Sequence, residues 1–220
     1  MLNRVLALFA AAALSVAAHA AVAPPVEDLE YLTQKVPQAV TTGKKIEVME
    51  FFWYRCPHCY KLEPALNTWL AKLPKDVQIK RMPAVFNDSW LPGAKIFYAL
   101  QDVGADKLHD KVFDAYHRDN LDLNNEAVLM DWIAKQGVDR AKFQAAYQSF
   151  STQSKATQGA MLARVYDLKG VPSFVVDGRY VTSETITGSE PRLFEVLDQL
   201  VAKARKARPV GKSAKAGKKK

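Results

Sequence analysis

Sulfur is scarce in this chain of 220 residues, whose only cysteines are Cys56 and Cys59. With no third cysteine, a framework of several structural disulfides is excluded. Histidine is scarce too. Beyond the first twenty residues only His58, His109 and His117 remain, and His58 stands between the two cysteines. A tetrahedral zinc site built on the cysteine pair therefore lacks evident further ligands. Covalent haem needs C-x-x-C-H, and Tyr60 occupies the position of that histidine. Past residue 20 there is no apolar run of membrane-spanning length and no internal repeat.

Net charge is nearly absent from the body and is concentrated at one end. Lys203 to Lys220 holds nine Lys and Arg and no acid, while the whole chain is +8, so everything before Lys203 sums to −1. The pI of about 9.4 thus belongs to the tail, which removes the main argument for a nucleic-acid partner. A segment of Lys, Ala and Gly with Pro209 has too little apolar surface to fold, so residues 203–220 are expected to be a disordered basic tail. Either it is simply solvated, or it is attracted to an anionic envelope surface.

The other end reads as a secretory signal over residues 1–20. Arg4 supplies the positive charge, Val5 to Ala18 a short apolar core, and Ala18-His19-Ala20 the small-residue cleavage pattern; cleavage after Ala23 is the alternative. Export would put the thiols in an oxidising compartment, where a disulfide persists.

The remaining residues, 21–202, are enough for one core with an insertion. Ile46 to Trp53 is apolar on both faces, as a central strand covered by helices should be, and Glu50 interrupts the run. From Cys56 a helical stripe follows through Leu62, Leu66, Trp69, Leu70 and Leu73. Pro57 suits the first turn, where its missing N–H costs nothing. Val77 to Met82 alternates as a second strand, which completes a βαβ unit with the cysteines at the carboxyl end of its first strand. Tyr31 to Thr33 is a candidate edge strand. Residues from about Leu91 to Asp167 read as helices over 91–103, 106–118, 125–135, 139–150 and 152–167, an inserted helical subdomain. A hairpin around Asp177-Gly178 and an amphipathic helix over 190–204 close the body. The expected fold is α/β in two parts, residues 21–90 and 168–202, divided by the insertion at 91–167.

A C-x-x-C pair at a helix start supports several readings. A structural disulfide there would close a very small loop and stabilise little. Redox chemistry fits the position better. Cys56 would face unpaired backbone N–H groups and the positive end of the helix dipole, which favour thiolate over thiol. His58 would add a donor or positive charge. A stabilised thiolate is a good leaving group, so the oxidised pair would be a strong oxidant, with Cys59 as the buried partner thiol.

Glu50-Phe51-Phe52, then Cys56-Pro57-His58-Cys59-Tyr60, then Gly170-Val171-Pro172 together resemble the DsbA family of bacterial periplasmic thiol–disulfide oxidoreductases over nearly all of residues 25–205. The resemblance implies a thioredoxin-like fold with the helical insertion. It also implies a cis Val171–Pro172 bond beside Cys56, with Val171 offering backbone groups to a substrate strand. On the residues alone Pro172 is equally an ordinary trans proline. The family places a buried acid at Glu50 that assists proton movement at the resolving thiol; read from the residues alone, Glu50 could end a strand in solvent. In the family a lysine partners that acid. Arg81 stands there in this chain, and arginine does not deprotonate, which favours a fixed Glu50–Arg81 pair over proton shuttling by the base.

The expected activity is therefore a monomeric periplasmic dithiol oxidase. It needs no cofactor or metal, acts on reduced secreted proteins, and is reoxidised by a quinone-linked inner-membrane partner of the DsbB type. A reductase or isomerase of the same fold and a non-catalytic envelope chaperone are the rivals. Trp53, Tyr54 and Tyr60 are candidates to edge a peptide groove. Trp69, Trp90 and Trp132 read as packing residues, and His109 and His117 receive no role.

Overall fold

The computed structural model describes residues 22–208. The signal sequence and the tail from Pro209 onward lie outside the described residues. Five strands, β1 (Leu32–Thr33), β2 (Ile46–Phe52), β3 (Val77–Pro83), β4 (Ser173–Val176) and β5 (Tyr180–Thr182), form one sheet in the order β1-β5-β4-β2-β3. β2 pairs parallel with β3 and antiparallel with β4, and all seven of its residues are buried. An apolar run can sit this way only if both sheet faces are covered.

One face is covered by α1 (Pro57–Leu70) and α8 (Glu190–Ala207), the other by α2 (Leu91–Asp102), α3 (His109–His117), α4 (Glu126–Lys135), α5 (Arg140–Tyr147) and α6 (Phe150–Val165). Ile46, Val48, Phe174 and Val176 pack with Leu62, Leu66, Leu193 and Leu197 on the first side. Met49, Phe51 and Val175 share the second core with Phe113, Leu129, Ile133 and Phe143. Those five helices follow β3 and precede β4, so the insertion roofs one sheet face. The turn from β4 to β5 holds Asp177 (φ 54°) and Gly178 (φ 64°) in the left-handed region, which Asp and Gly adopt most readily.

Two local expectations are corrected, and one short element is added. Phe150 opens α6 instead of closing α5, because the Ser149 side chain accepts the Thr152 N–H and restarts the helix. A short helix, α7 (Glu184–Thr187), precedes α8 and ends at Gly188. The basic segment does not leave the fold at Lys203. Helix α8 runs on to Ala207, Arg205 pairs with Asp76 at 2.6 Å, and Arg208 holds Asp177 and the carbonyl of Lys44. Ion pairing and the buried Ala204 extend the helix beyond what its apolar stripe requires.

The insertion meets the sheet through Gly159 of α6. A Cβ there would lie 2.2 Å from the Pro83 carbonyl oxygen, a backbone atom at the end of β3. An exposed helical Gly→Ala change normally stabilises by about 1 kcal/mol. Here steric overlap dominates, and Gly159→Ala is expected to lower stability by about 1–3 kcal/mol. Urea unfolding tests the sign: a rise in midpoint would show that α6 can retreat from β3.

Candidate active site

β2 delivers the chain to a turn in which the Cys56 N–H donates to the Trp53 carbonyl at 2.9 Å. Cys56 then caps α1 in an extended conformation, with Pro57 at the first helical position. The cap group is sulfur. The Cys59 N–H donates to Cys56 Sγ at 3.4 Å, and the Cys56 thiol donates to the Val171 carbonyl, also at 3.4 Å. The Val171–Pro172 peptide is cis. Both cysteines are free thiols and largely buried, while His58 between them is exposed.

The two sulfurs differ in acidity. The Cys59 thiol, the Cys59 and His58 backbone N–H groups and the His58 charge all favour a Cys56 thiolate. They outweigh burial and bring its pKa down to about 6. Burial, followed by the Cys56 sulfur, pushes the Cys59 thiol up. The nucleophilic or leaving thiolate is therefore Cys56, and Cys59 holds its proton.

Beneath the pair lies a buried network that the sequence reading resolved only in part. Arg81 Nε donates to Glu50 at 3.1 Å, and Arg81 Nη2 donates to Glu63 at 3.1 Å and to Asn67 at 3.2 Å. Register explains the first contact, since Glu50 on β2 pairs with Arg81 on β3. One guanidinium thus faces two buried carboxylates. Burial and the neighbouring Glu63 charge, against the attraction of Arg81, raise the Glu50 pKa. Glu50 is buried and does not end its strand in solvent. The other acid of β2, Glu47, is also buried and accepts from the Thr41 N–H and hydroxyl.

His109 and His117, given no role from sequence, both contact the segment that leads into the site. His109 Nε2 lies 3.3 Å from Glu63, and its Nδ1 lies 2.9 Å from the Tyr54 hydroxyl. Burial holds the His109 pKa down, so the ring is neutral, with Nε2–H donating to Glu63 and Nδ1 accepting from Tyr54. His117 Nε2 donates to the Tyr54 carbonyl at 2.8 Å, and its ring stacks on Tyr60 at 4.8 Å. The spacing of His109, Phe113 and His117 on one face of α3 was the available signal. Tyr54 is 1% exposed, so it anchors the loop and edges no groove. Trp53 stacks on Trp90 at 4.0 Å, and Tyr60 donates to Asp114 at 3.0 Å.

Glu63, His109 and Asp110 bring ligand atoms within 4.8 Å of one another. Both His109 nitrogens are already engaged, and Arg81 holds Glu63 with a positive charge. The cluster reads as charge pairing and not as a cation site. A cleft of about 280 Å³ lined by His58, Val171, Pro172, Glu184 and Thr185 opens beside the sulfurs.

The profile of the DSBA-like thioredoxin domain matches residues 47–200. The chain belongs to the DsbA family. Thiol:disulfide interchange protein DsbA of Burkholderia cepacia is 41% identical over 186 residues, 84% of this chain and 88% of that protein. DsbA of Pseudomonas aeruginosa PAO1 is 36% identical over 179 residues, 81% of this chain and 85% of that one. The crystal structure of Pseudomonas aeruginosa DsbA superposes with a TM-score of 0.79 at 35% identity, covering 83% of this chain and 96% of that one. DsbA from Xylella fastidiosa gives 0.77 at 29% identity, over 83% and 99%. The thioredoxin-like fold with its helical insertion is thus that of the DsbA structures, and the chain is a thiol:disulfide oxidoreductase.

Proposed function

We propose that this DsbA-family enzyme works in the periplasm, exported by its N-terminal signal, as an oxidase that introduces disulfides into newly exported proteins. The acidity difference between Cys56 and Cys59 carries this reading. In the oxidised enzyme a substrate thiolate attacks Cys56 Sγ. The Cys56–Cys59 bond breaks, a substrate–Cys56 disulfide forms, and Cys59 leaves with the electron pair and takes up a proton. Glu50, near enough for its charge to act on Cys59, is the group that supplies this proton. Arg81 fixes Glu50 in place. A second substrate thiolate then attacks its own sulfur in the mixed disulfide. Cys56 is expelled as the stabilised thiolate, the substrate is oxidised by two electrons and the enzyme is left as the dithiol.

Val171 carries the substrate strand through backbone hydrogen bonds, with Pro172 and His58 lining the cleft beside it. No cofactor of its own is required, because the electrons pass onward through a quinone-linked membrane partner of the DsbB type. Reduced exported proteins are the substrates, the enzyme acts as a monomer, and the basic tail touches anionic envelope surface.

The test uses a reduced peptide containing two cysteines. Cys59→Ser is expected to accumulate a peptide–enzyme disulfide through Cys56, and Cys56→Ser to form none. Equilibration of the native protein with glutathione completes it. A dithiol form that persists at oxidising glutathione ratios supports the oxidase. A disulfide that persists under reducing ratios would make the protein a reductase.

A further inference from the structure

The end of the sheet remote from the cysteines is strongly cationic, and connectivity puts it there. β2 and β3 run parallel, and the residues that lead into them, Lys44, Lys45 and Lys75, share one end of the sheet. Helix α1 starts at Cys56 and runs back to the same end, delivering Lys72. Helix α8 finishes there as well. Arg205 pairs with Asp76 beside β3, and Arg208 clasps Asp177 of the hairpin turn and the Gly43 and Lys44 carbonyls. Cys56 sits beyond the opposite end of β2, a separation of roughly 20 Å at the usual strand rise.

The acids at this pole are already engaged. Asp76 and Asp177 are each held by an arginine, and Glu47 is buried against Thr41. Lys44, Lys45, Lys72, Lys75 and Lys206 are exposed and form no salt bridge among the described residues. Helix C-termini account for a cation in a last turn, as at Lys72 and Lys206. They do not account for Lys44, Lys45 and Lys75 on loops that precede strands. Nor does a basic body, since residues 22–202 hold 21 Lys and Arg against 23 Asp and Glu. Positive charge is therefore segregated, and the sequence after Arg208 adds five more lysines from the point where Arg208 is fixed.

We propose that this pole is a docking surface for an anionic phospholipid bilayer, which holds the enzyme with Cys56 turned away from the membrane. The folded lysines and the following sequence act together, each adding attraction that salt screens over about 10 Å. This goes beyond an attraction of the tail alone, because it fixes an orientation. The disulfide faces outward toward exported chains, and the enzyme must let go of the lipid to present Cys56 to a membrane partner.

The test is co-sedimentation of the exported form, beginning at Ala21, with phosphatidylcholine vesicles that contain phosphatidylglycerol or lack it. Binding is expected only with the anionic lipid and is lost in high salt. The fourfold variant Lys44→Glu, Lys45→Glu, Lys72→Glu, Lys75→Glu is expected to bind roughly tenfold or more weakly. Its peptide oxidation should be unchanged, since none of the four side chains belongs to the redox site. The matching Lys→Gln set, milder to the fold, is expected to weaken binding in the same direction. Alkylation of Cys56 by a bulky maleimide should proceed equally fast on and off vesicles. Native-like binding by both lysine variants would overturn the docking surface, as would equal binding to uncharged vesicles. Slowed alkylation on vesicles would overturn the orientation.

Discussion

Thiolate absorbance of the reduced protein is expected to rise with a midpoint of about 6, and the Cys56→Ser variant to show no such step. The consequence for stability has a definite sign. Cys56 has a depressed pKa in the folded dithiol form, so its contribution is complete only above the ordinary thiol value of 9.0 and is lost as pH falls through about 6. The oxidised form has no thiol and lacks this term. With allowance for solvent at the sulfur, the full contribution is about 2–3 kcal/mol, of which about 1 kcal/mol remains at neutral pH. Urea midpoints of the reduced and oxidised forms should therefore diverge as pH rises from 6 to 9, with the reduced form the more stable. A pH-independent difference would mean that Cys56 is not the stabilised thiolate, and the oxidase reading would lose its physical basis.

Arg81→Met is expected to remove about 3–5 kcal/mol of stability at about pH 9, where Glu50 is charged and would stay buried with Glu63 without their shared cation. The loss should shrink on acidification. The Glu50 pKa is raised to about 8 in the folded state, so the carboxyl takes up a proton as pH falls through that value, and the unpaired charge disappears. Arg81→Lys keeps the charge but cannot span Glu50, Glu63 and Asn67 together, and a smaller loss is expected. Urea unfolding of the oxidised proteins at about pH 9 and at about pH 6 separates these outcomes. An unaltered midpoint for Arg81→Met would show that the carboxylates find other partners or already share a proton.

The parts of the fold and site that depend on short-range pattern were legible in the sequence. Apolar residues on both faces of β2 announced a central strand, and the position of Pro57 announced a helix beginning at the cysteines. The pairing of Glu50 with Arg81 came from the family resemblance, and the two residues do stand opposite each other on β2 and β3. What was not legible depends on long-range approach. Nothing in the local sequence of α3 says that His109 meets Glu63 from α1 and Tyr54 from the loop, since those contacts span 46 and 55 positions. Tyr54 was a candidate to edge a groove because it stands beside a reactive loop, yet it is buried against His109 and Phe113 of the insertion. The basic segment was read by composition, which predicted a tail from Lys203. Aspartates at positions 76 and 177 instead hold its first residues against the body.

The grip of α3 on Tyr54 at both its carbonyl and its hydroxyl makes the insertion a splint for the redox loop. Helix α3, which among the described residues makes no hydrogen bond to either cysteine, therefore sets how firmly the cysteine cap is held. Exchanging the insertion between two family members should carry over part of the loop's rigidity with it, even with every residue from Glu50 to Tyr60 left unchanged.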